Sequence, residues 1–588
     1  MRPLLALLLA LPLAAATFDP LPPVDFSKVK PADFSDDELD LPFYLAHFRQ
    51  VADGVVAEGP DRGFINISVW RPQSGNKPYN ARIMENILSL AYFYTTKRPW
   101  NPYYGSPALR QRLEASLDFW CRIQSPDGQF SEYGPKQWNL AATAFATKFV
   151  GRALVLLHDG PPIDAALLKR VEDADRKTIH AVLTDAELWR HGLSYSNQYT
   201  NVWAGGLEFF HILPDAPLED LFWTKVAEGL SRFQSPAGFF YEADGPDFGY
   251  NSDTSQHNLE VVYNWTHNTP RAGQFVEHDR RWFEWLSWNA VPAVDGTGWV
   301  LNRAIETRQK HAFFEQLTTP LAEQIPMARA YAMSWEERAA EIRRTRAQLE
   351  KNWPNFPPLK VGDFWSYSPY AFLHRDQYHW YPTAREQAEA RAKLPFAASD
   401  KFVHQLRDSR NPEVFTYIRQ PAYYAAFNSG KQVTKQQRYG LGLLWTSSAG
   451  AVLQSQTASD TAAWGTKTEG HAGVWEAGDV DAAFSDSNLS VRYAIGKGEK
   501  TIRFEPDRIV VTVHSPGAFT EIVPLLGEVR LAADRANGSG ISVRYGASAH
   551  PALDQTETRV GKKQLVVLRL AAQNELTYTL VPGGIPNN

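Results

Sequence analysis

The sequence predicts a multidomain chain, helical first and β second: an α/α toroid of helical hairpins followed by an antiparallel β-sandwich. Three observations carry this expectation. From about Phe43 to Trp353, apolar residues recur at the three- and four-residue spacing of one buried helical face. After about Phe396 the pattern changes to short runs rich in Val, Ile, Thr and Tyr, separated by turn residues. The pattern Arg-x-Gln-Ser-Pro-x-Gly-x-Phe-x-Glu occurs from Arg122 and again from Arg232, 110 residues later, each time after an amphipathic helix. Hairpins repeated in tandem bury their apolar faces only against their neighbours, so a closed ring or an arc is expected. Helices first and strands second indicate separate domains rather than an interleaved α/β fold.

In order, residues 1–16 pair an early Arg2 with a short apolar run ending in small residues, as a signal peptide does, so the mature chain is expected to start near Thr17 and to be exported, secreted or periplasmic. That run is too short to span a bilayer comfortably, and no membrane span is expected in the mature chain. Residues 17–45 read as an extended lead-in. Helices are expected over roughly 80–96, 107–124, 138–157, 163–184, 197–212, 217–233, 255–267, 279–290 and 335–352. Strands are expected at 489–494, 500–504, 508–514, 541–545, 564–570 and 576–581. The resulting division is 1–16 signal peptide, 17–395 toroid catalytic domain and 396–588 β-sandwich.

Length supports this, because 588 residues exceed what a single core usually holds. With 44% apolar and 21% charged residues the chain is globular, not disordered. A net charge of −5 argues against nucleic acid as the main partner. The single cysteine, Cys121, excludes an internal disulfide and reads as packing. Aromatics reach 13%, and flat rings with a polar tip fill cores but also stack on sugars, which in an exported protein points towards carbohydrate.

Four clusters could carry chemistry. Tyr195 to Trp203 places Asn197 and Asn201 four residues apart, on one face once helical, as amides for a cleft or as a cap and a surface residue. The second repeat loop runs on through Glu242, Asp244, Asp247, Tyr250 and His257, with Gly245 and Gly249 permitting an unusual backbone path. Arg303 and Arg308 could clamp a carboxylate or sulfate, or Glu306 between them could neutralise one. The set His374, Asp376 and His379 has no strong zinc spacing, so neither a metal nor a cofactor is expected.

At these residues the chain resembles the polysaccharide lyases built from an α/α toroid and an antiparallel β-sandwich: chondroitin AC, hyaluronate and xanthan lyases, and the heparinase II/III-like enzymes. The resemblance covers the mature chain in architecture and is specific only at short motifs. A helix with Gly-Ala-Asn-Arg in the first group corresponds to Asn197 or Asn201. A loop Asp-Gly-Ser-Phe-x-Gln-His leading to Tyr-Gly is matched by Ala237-Gly-Phe-Phe240-Tyr-Glu242 leading to Gly249-Tyr250. The motif Arg-Gly-Arg-x-Ile-Ser-Arg resembles Asn302-Arg303-Ala-Ile305-Glu-Thr-Arg308. The loop histidine is absent after Glu242, which leaves His257 as its substitute, and Arg308 is displaced by one residue. The run Tyr423-Tyr-Ala-Ala-Phe-Asn428-Ser-Gly430, with Arg438 to Gly442 after it, looks more like the heparinase II/III-like sandwich.

The resemblance implies β-elimination on an acidic, uronate-containing polysaccharide or oligosaccharide, with Asn197, Tyr250, His257 and Arg303 catalytic and Asn201, Trp203, Glu242 and Arg308 binding substrate. Amides and arginines would stabilise charge developing on the uronate carboxylate. Tyr250 and His257 would share the proton transfers, their order left open. The alternatives are a toroid glycoside hydrolase using Glu242 with Asp244, Asp247 or Asp253, and a non-catalytic carbohydrate-binding protein.

Overall fold

A computed structural model of the chain describes residues 17–68, 75–308, 311–359, 369–457, 461–478 and 489–583. The expected signal peptide, residues 1–16, lies outside the described residues. The helices relevant below are α1 (Leu41–Ala52), α2 (Ile87–Thr95), α3 (Pro107–Ile123), α4 (Leu140–Asp159), α5 (Ala165–Thr184), α6 (Ala186–Ser194), α7 (Ser196–Tyr199), α8 (Asn201–Ile212), α9 (Ala216–Arg232), α10 (Phe248–Tyr250), α11 (Gln256–Thr266) and α12 (Ala272–Asn289). Most coincide with the expected helices because their starts are written locally: Ser106, Asn139 and Asp164 each accept a backbone N–H of the first turn of α3, α4 and α5.

The chain packs as two compact units. The first comprises the described residues of 17–188, 201–222 and 341–376. Its centre is α4, long and apolar enough to cross a membrane but with 94% of its apolar window buried, as in a core helix. It packs on α2, α5 and α8. A Cβ on Gly205 of α8 would lie 2.4 Å from Thr147 Oγ1 of α4, so only glycine permits this approach of the two backbones. Burial pushes the Cys121 thiol up to about 12, in keeping with an inert packing role.

The second unit comprises the described residues of 189–200, 223–340 and 377–583. It holds α6, α7, α10, α11, α12 and two sheets. A small antiparallel sheet, β1 (Ala290–Pro292), β2 (Trp299–Leu301) and β3 (Phe313–Phe314), continues directly from α12. Among the described residues the large sheet has 14 strands: β4 (Phe402–Asp408), β5 (Glu413–Gln420), β6 (Tyr423–Gly430), β7 (Gly440–Thr446), β8 (Gly450–Gln454), β9 (Gly465–Thr468), β10 (Ser490–Ile495), β11 (Gly498–Phe504), β12 (Ile509–Leu526), β13 (Val529–Leu531), β14 (Arg535–Gly538), β15 (Ile541–Tyr545), β16 (His550–Val560) and β17 (Lys563–Pro582). All its described pairings are antiparallel, and the main path runs β13-β14-β15-β17-β12-β8-β7-β6-β5-β4.

Two differences from the sequence reading have physical causes. The separate strands expected at 508–514, 564–570 and 576–581 belong to β12 and β17, which pair along almost their whole length. Pro516 and Gly517, the extra residues between the pairs Ser515–Asn574 and Ala518–Gln573, form a β-bulge within one ladder instead of a break between strands. Strands β5 to β8 lack polar alternation because every residue in them is buried, on both faces. One contact explains part of this burial: Trp288 of α12 stacks on Tyr417 of β5, and the Tyr417 hydroxyl accepts from Asn289 at 2.7 Å.

Candidate active site

The second repeat loop leaves α9 as a rigid turn. Ser235 N–H donates to the Phe239 carbonyl at 2.8 Å, Gly238 N–H donates to the Ser235 carbonyl at 2.9 Å, and Gly238 has φ +112°. A Cβ there would fall 2.5 Å from the Arg281 carbonyl oxygen on α12. The Gln234 amide reaches the His278 carbonyl at 2.8 Å, and Asn251 exchanges two 3.0 Å bonds with the backbone of Phe240. The loop is therefore pinned to α12 and to the start of the next helical segment before it reaches its titratable residues.

Those residues follow a tight reversal, Glu242 to Gly245, closed by mutual backbone bonds. Its two central residues, Ala243 at φ +51° and Asp244 at φ +67°, occupy the left-handed region that glycine normally takes. The unusual backbone path expected at Gly245 and Gly249 is thus corrected: it lies at Ala243 and Asp244. A Cβ on Gly245 would instead meet Thr307 Cγ2 at 2.7 Å, so that glycine serves close packing. Left-handed backbone costs non-glycine residues about 1–2 kcal/mol each and needs external support. The turn between β4 and β5 supplies it. Asn411 donates to the Asp244 carbonyl at 2.7 Å, and Arg410 donates to Asp244 Oδ1 at 3.0 Å and to the Leu193 carbonyl at 2.7 Å.

Beyond the reversal, Asp247 caps α10 by accepting from Tyr250 N–H at 3.0 Å, and its second oxygen accepts from Arg308 N–H at 2.9 Å. A five-residue π-helix, Asn251–Ser255, then leads into α11, and such segments recur at functional sites. The result is one cluster. Glu242, fully buried, accepts the Asn197 amide on one carboxylate oxygen and the Arg308 guanidinium on the other. The same guanidinium lies 4.4 Å from the centre of the Tyr250 ring and 5.3 Å from that of Tyr195. Asn197 is held in turn by Asn258, whose amide donates to the Asn197 carbonyl at 3.3 Å and to Thr200 Oγ1 at 2.8 Å. Burial pushes the Glu242 carboxyl up to about 8, against the pull of Arg308 and with Asp247 adding to the rise. Burial and then Asp247 also hold Glu306 well above the carboxylate range.

Asn197, Tyr250, Glu242 and Arg308 therefore come together, although they are spread over more than a hundred residues. Arg303 takes another direction: its guanidinium donates to Gln456, just past β8, and its electrostatic link back to the cluster runs through Glu306 and Asp247. His257, half-buried on α11, has a ring nitrogen within 4.8 Å of a Glu260 carboxylate oxygen. Three residues expected to bind substrate are buried. Asn201 and Trp203 are fully buried and belong to the first compact unit, where α8 packs on α4. Glu242 is also fully buried and accepts from both the Asn197 amide and the Arg308 guanidinium. Tyr195, Asn258, Arg410 and Asn411 complete the site without having been singled out as site residues, and Asp247, expected only as a carboxylate of the hydrolase alternative, joins them as a cap. Tyr195 lies next to the Asn197 signal, whereas nothing local marks Arg410 or Asn411.

No family model and no curated protein matches the chain. Solved structures do. A chondroitinase AC lyase, described from enzyme–oligosaccharide complexes and mutagenesis, is similar over 95% of this chain and 84% of its own at 14% identity and a TM-score of 0.52. The chondroitin AC lyase of Streptomyces coelicolor A3, in complex with chondroitin sulphate, is similar over 97% and 81% at 13% identity and a TM-score of 0.52. A heparan sulfate lyase mutant from Pedobacter heparinus is similar over 92% and 83% at 10% identity and a TM-score of 0.49. At such identities the likeness is one of fold, a helical region followed by a large antiparallel sheet, and these neighbours are polysaccharide lyases.

Proposed function

We propose that the chain is an exported polysaccharide lyase that cleaves a uronate-containing polysaccharide by β-elimination. The observation that carries the reading is the convergence of an amide, Asn197, a guanidinium, Arg308, and a phenol, Tyr250, at one place. Elimination needs these three kinds of group around one sugar. A base removes the C5 proton, the C5 electrons form the C4–C5 double bond, and the C4–oxygen bond breaks as an acid protonates the departing oxygen. Tyr250 is assigned to proton transfer. Arg308, a third exposed and lying against the Tyr250 ring, supplies the positive field that favours a phenolate and receives a uronate carboxylate.

Glu242 has a holding role in this scheme. Its carboxyl sets the direction of both donors, and when it is protonated the Arg308 charge is free to serve the substrate. Arg303 and His257 stay in the proposal as flanking groups, one for the substrate's acidic groups and one for the second proton. Export rests on the leader pattern of residues 1–16. The fold of the two chondroitin lyases supports the reaction class. The test is incubation of the purified chain with uronate polymers, following the ultraviolet absorbance of the conjugated double bond. New reducing ends without that absorbance would make the chain a hydrolase, and binding without cleavage would make it a binding protein.

A further inference from the structure

Far along the sequence from Tyr250, the large sheet carries a cleft of about 570 Å³ with a marked charge bias. One wall is the turn after β12 with the start of β13, including Glu528 and Arg530; the other is the β16–β17 hairpin, including Gln555, Arg559, Lys562 and Lys563. The concavity has a structural origin. The β16–β17 register slips between Gln555 and Arg559, so residues 556–558 leave the regular ladder and Thr556 Oγ1 instead bonds the Leu565 carbonyl at 2.8 Å. Four cationic side chains line the cleft against one carboxylate, in a chain whose net charge is −5.

These cations are not all equally engaged. The Lys563 ammonium donates to the carbonyls of Ala449 and Ala451, at 2.5 and 2.7 Å, and so builds the cleft wall. Lys562 pairs with Asp295 at 2.9 Å. Arg559 spends one nitrogen on the Lys562 carbonyl at 2.6 Å, fixing the hairpin end, and Arg530 is 75% exposed, with the still more open Glu528 at 3.7 Å. Two guanidiniums on opposite walls, planar and always charged, suit carboxylate or sulfate groups presented in series.

We infer that this cleft is a second binding site for an anionic polysaccharide, distinct from the Tyr250 cluster, which retains the polymer while cleavage occurs elsewhere. The uronate character of the polymer rests on the proposed function; the charge of the cleft does not. Holding one chain at two places raises its effective concentration at each. The test compares wild type with Arg530→Glu/Arg559→Glu and Arg530→Gln/Arg559→Gln, each checked by thermal melting, in native gels containing chondroitin sulfate, heparin or neutral dextran.

The expected result is retardation of wild type by at least one polyanion and not by dextran, lost in the Glu pair and reduced in the Gln pair. KM on the long polymer should rise about three- to tenfold with kcat on a tetrasaccharide unchanged. Wild type unretarded in every polyanion gel, or variants retarded as wild type is, overturns the inference. Release by sodium sulfate at the polymer's own sulfate concentration would make the cleft a simple-anion site and overturn it too. Retardation that depends on Arg530 and Arg559 in a chain that eliminates no polymer would support the cleft while removing the lyase reading.

Discussion

The two copies of the repeated loop make an internal control. In the first, Gly128 has φ +92°, its N–H donates to the Ser125 carbonyl at 3.1 Å, and Ser125 N–H donates to the Gln129 carbonyl at 2.9 Å. The Gln124 amide reaches the Ala174 carbonyl on α5 at 2.8 Å, as Gln234 reaches His278 on α12. A Cβ on Gly128 would lie 2.6 Å from the Lys177 carbonyl oxygen, against 2.5 Å from Arg281 for Gly238. Glutamine, serine and glycine thus solve one problem twice, that of docking a tight turn on a neighbouring helix. The copies part after the final glutamate. Glu132 lies inside a short turn closed by the bridge between Ser131 and Trp138, and α4 starts two residues after Trp138. Glu242 is followed by a left-handed reversal, an Asp-capped single turn and a π-helix. The shared part is scaffold, and the proposed site sits in what was added to it.

The largest expected effect separates the added part from the scaffold. Tyr250→Phe keeps the ring against Arg308 but removes the phenolic proton, and should lower kcat for elimination at least ~10²-fold with an unchanged melt. Tyr133→Phe, at a 69% exposed residue just after the first copy, should leave kcat unchanged. Full activity in Tyr250→Phe removes the phenol from the mechanism.

Next comes the shared part. Gly128→Ala and Gly238→Ala each add a side chain at positive φ and into a backbone carbonyl, so each should destabilise by about 2–4 kcal/mol in denaturant melts. If only one does, the two turns are not equivalent.

A smaller effect tests the support that only the second copy has. Asn411→Ala removes the bond to the Asp244 carbonyl and should cost about 1–2 kcal/mol. It should also lower elimination activity by loosening the reversal that aims Glu242. Loss of stability with full activity would leave Asn411 a purely structural residue.

The smallest effect is on pH dependence. The folded Glu242 carboxyl is raised to about 8 from an ordinary value near 4.5, so it holds its proton where the unfolded chain has lost it. Its contribution to stability is therefore fully present below the unfolded value and is lost as pH rises towards and through about 8. Glu242→Gln should flatten that decline in urea midpoints measured between pH 5 and about 8.5. It should also flatten a rise in KM above pH 8, where ionised Glu242 claims Arg308. An unaltered pH profile would show that Glu242 does not titrate in this range.

Helix and strand types were legible along the chain because they depend on neighbours three, four or two positions away. Leu113, Leu117 and Trp120 mark the buried face of α3 in the sequence and are buried in the structure. The repeat, with Asn197, Tyr250 and Arg308 as chemically suitable groups, was legible for the same local reason and through the resemblance of short motifs. What the sequence could not decide was which suitable groups meet water and which meet one another. Asn201 and Trp203 lie close to Asn197 in the sequence, yet they are buried in the first compact unit, whereas Asn197, also buried, belongs to the second. Glu242 reads as an open carboxylate until Arg308, 66 residues away, and Asn197, 45 residues away, close on it. Asn411 reaches Asp244 across 167 residues, and that bond, not a glycine, lets Ala243 and Asp244 hold a left-handed turn. Local periodicity determines elements because backbone hydrogen bonding is short-ranged in sequence. Burial, pairing and the acidity that follows from them belong to the tertiary structure, because desolvation depends on everything packed around a group.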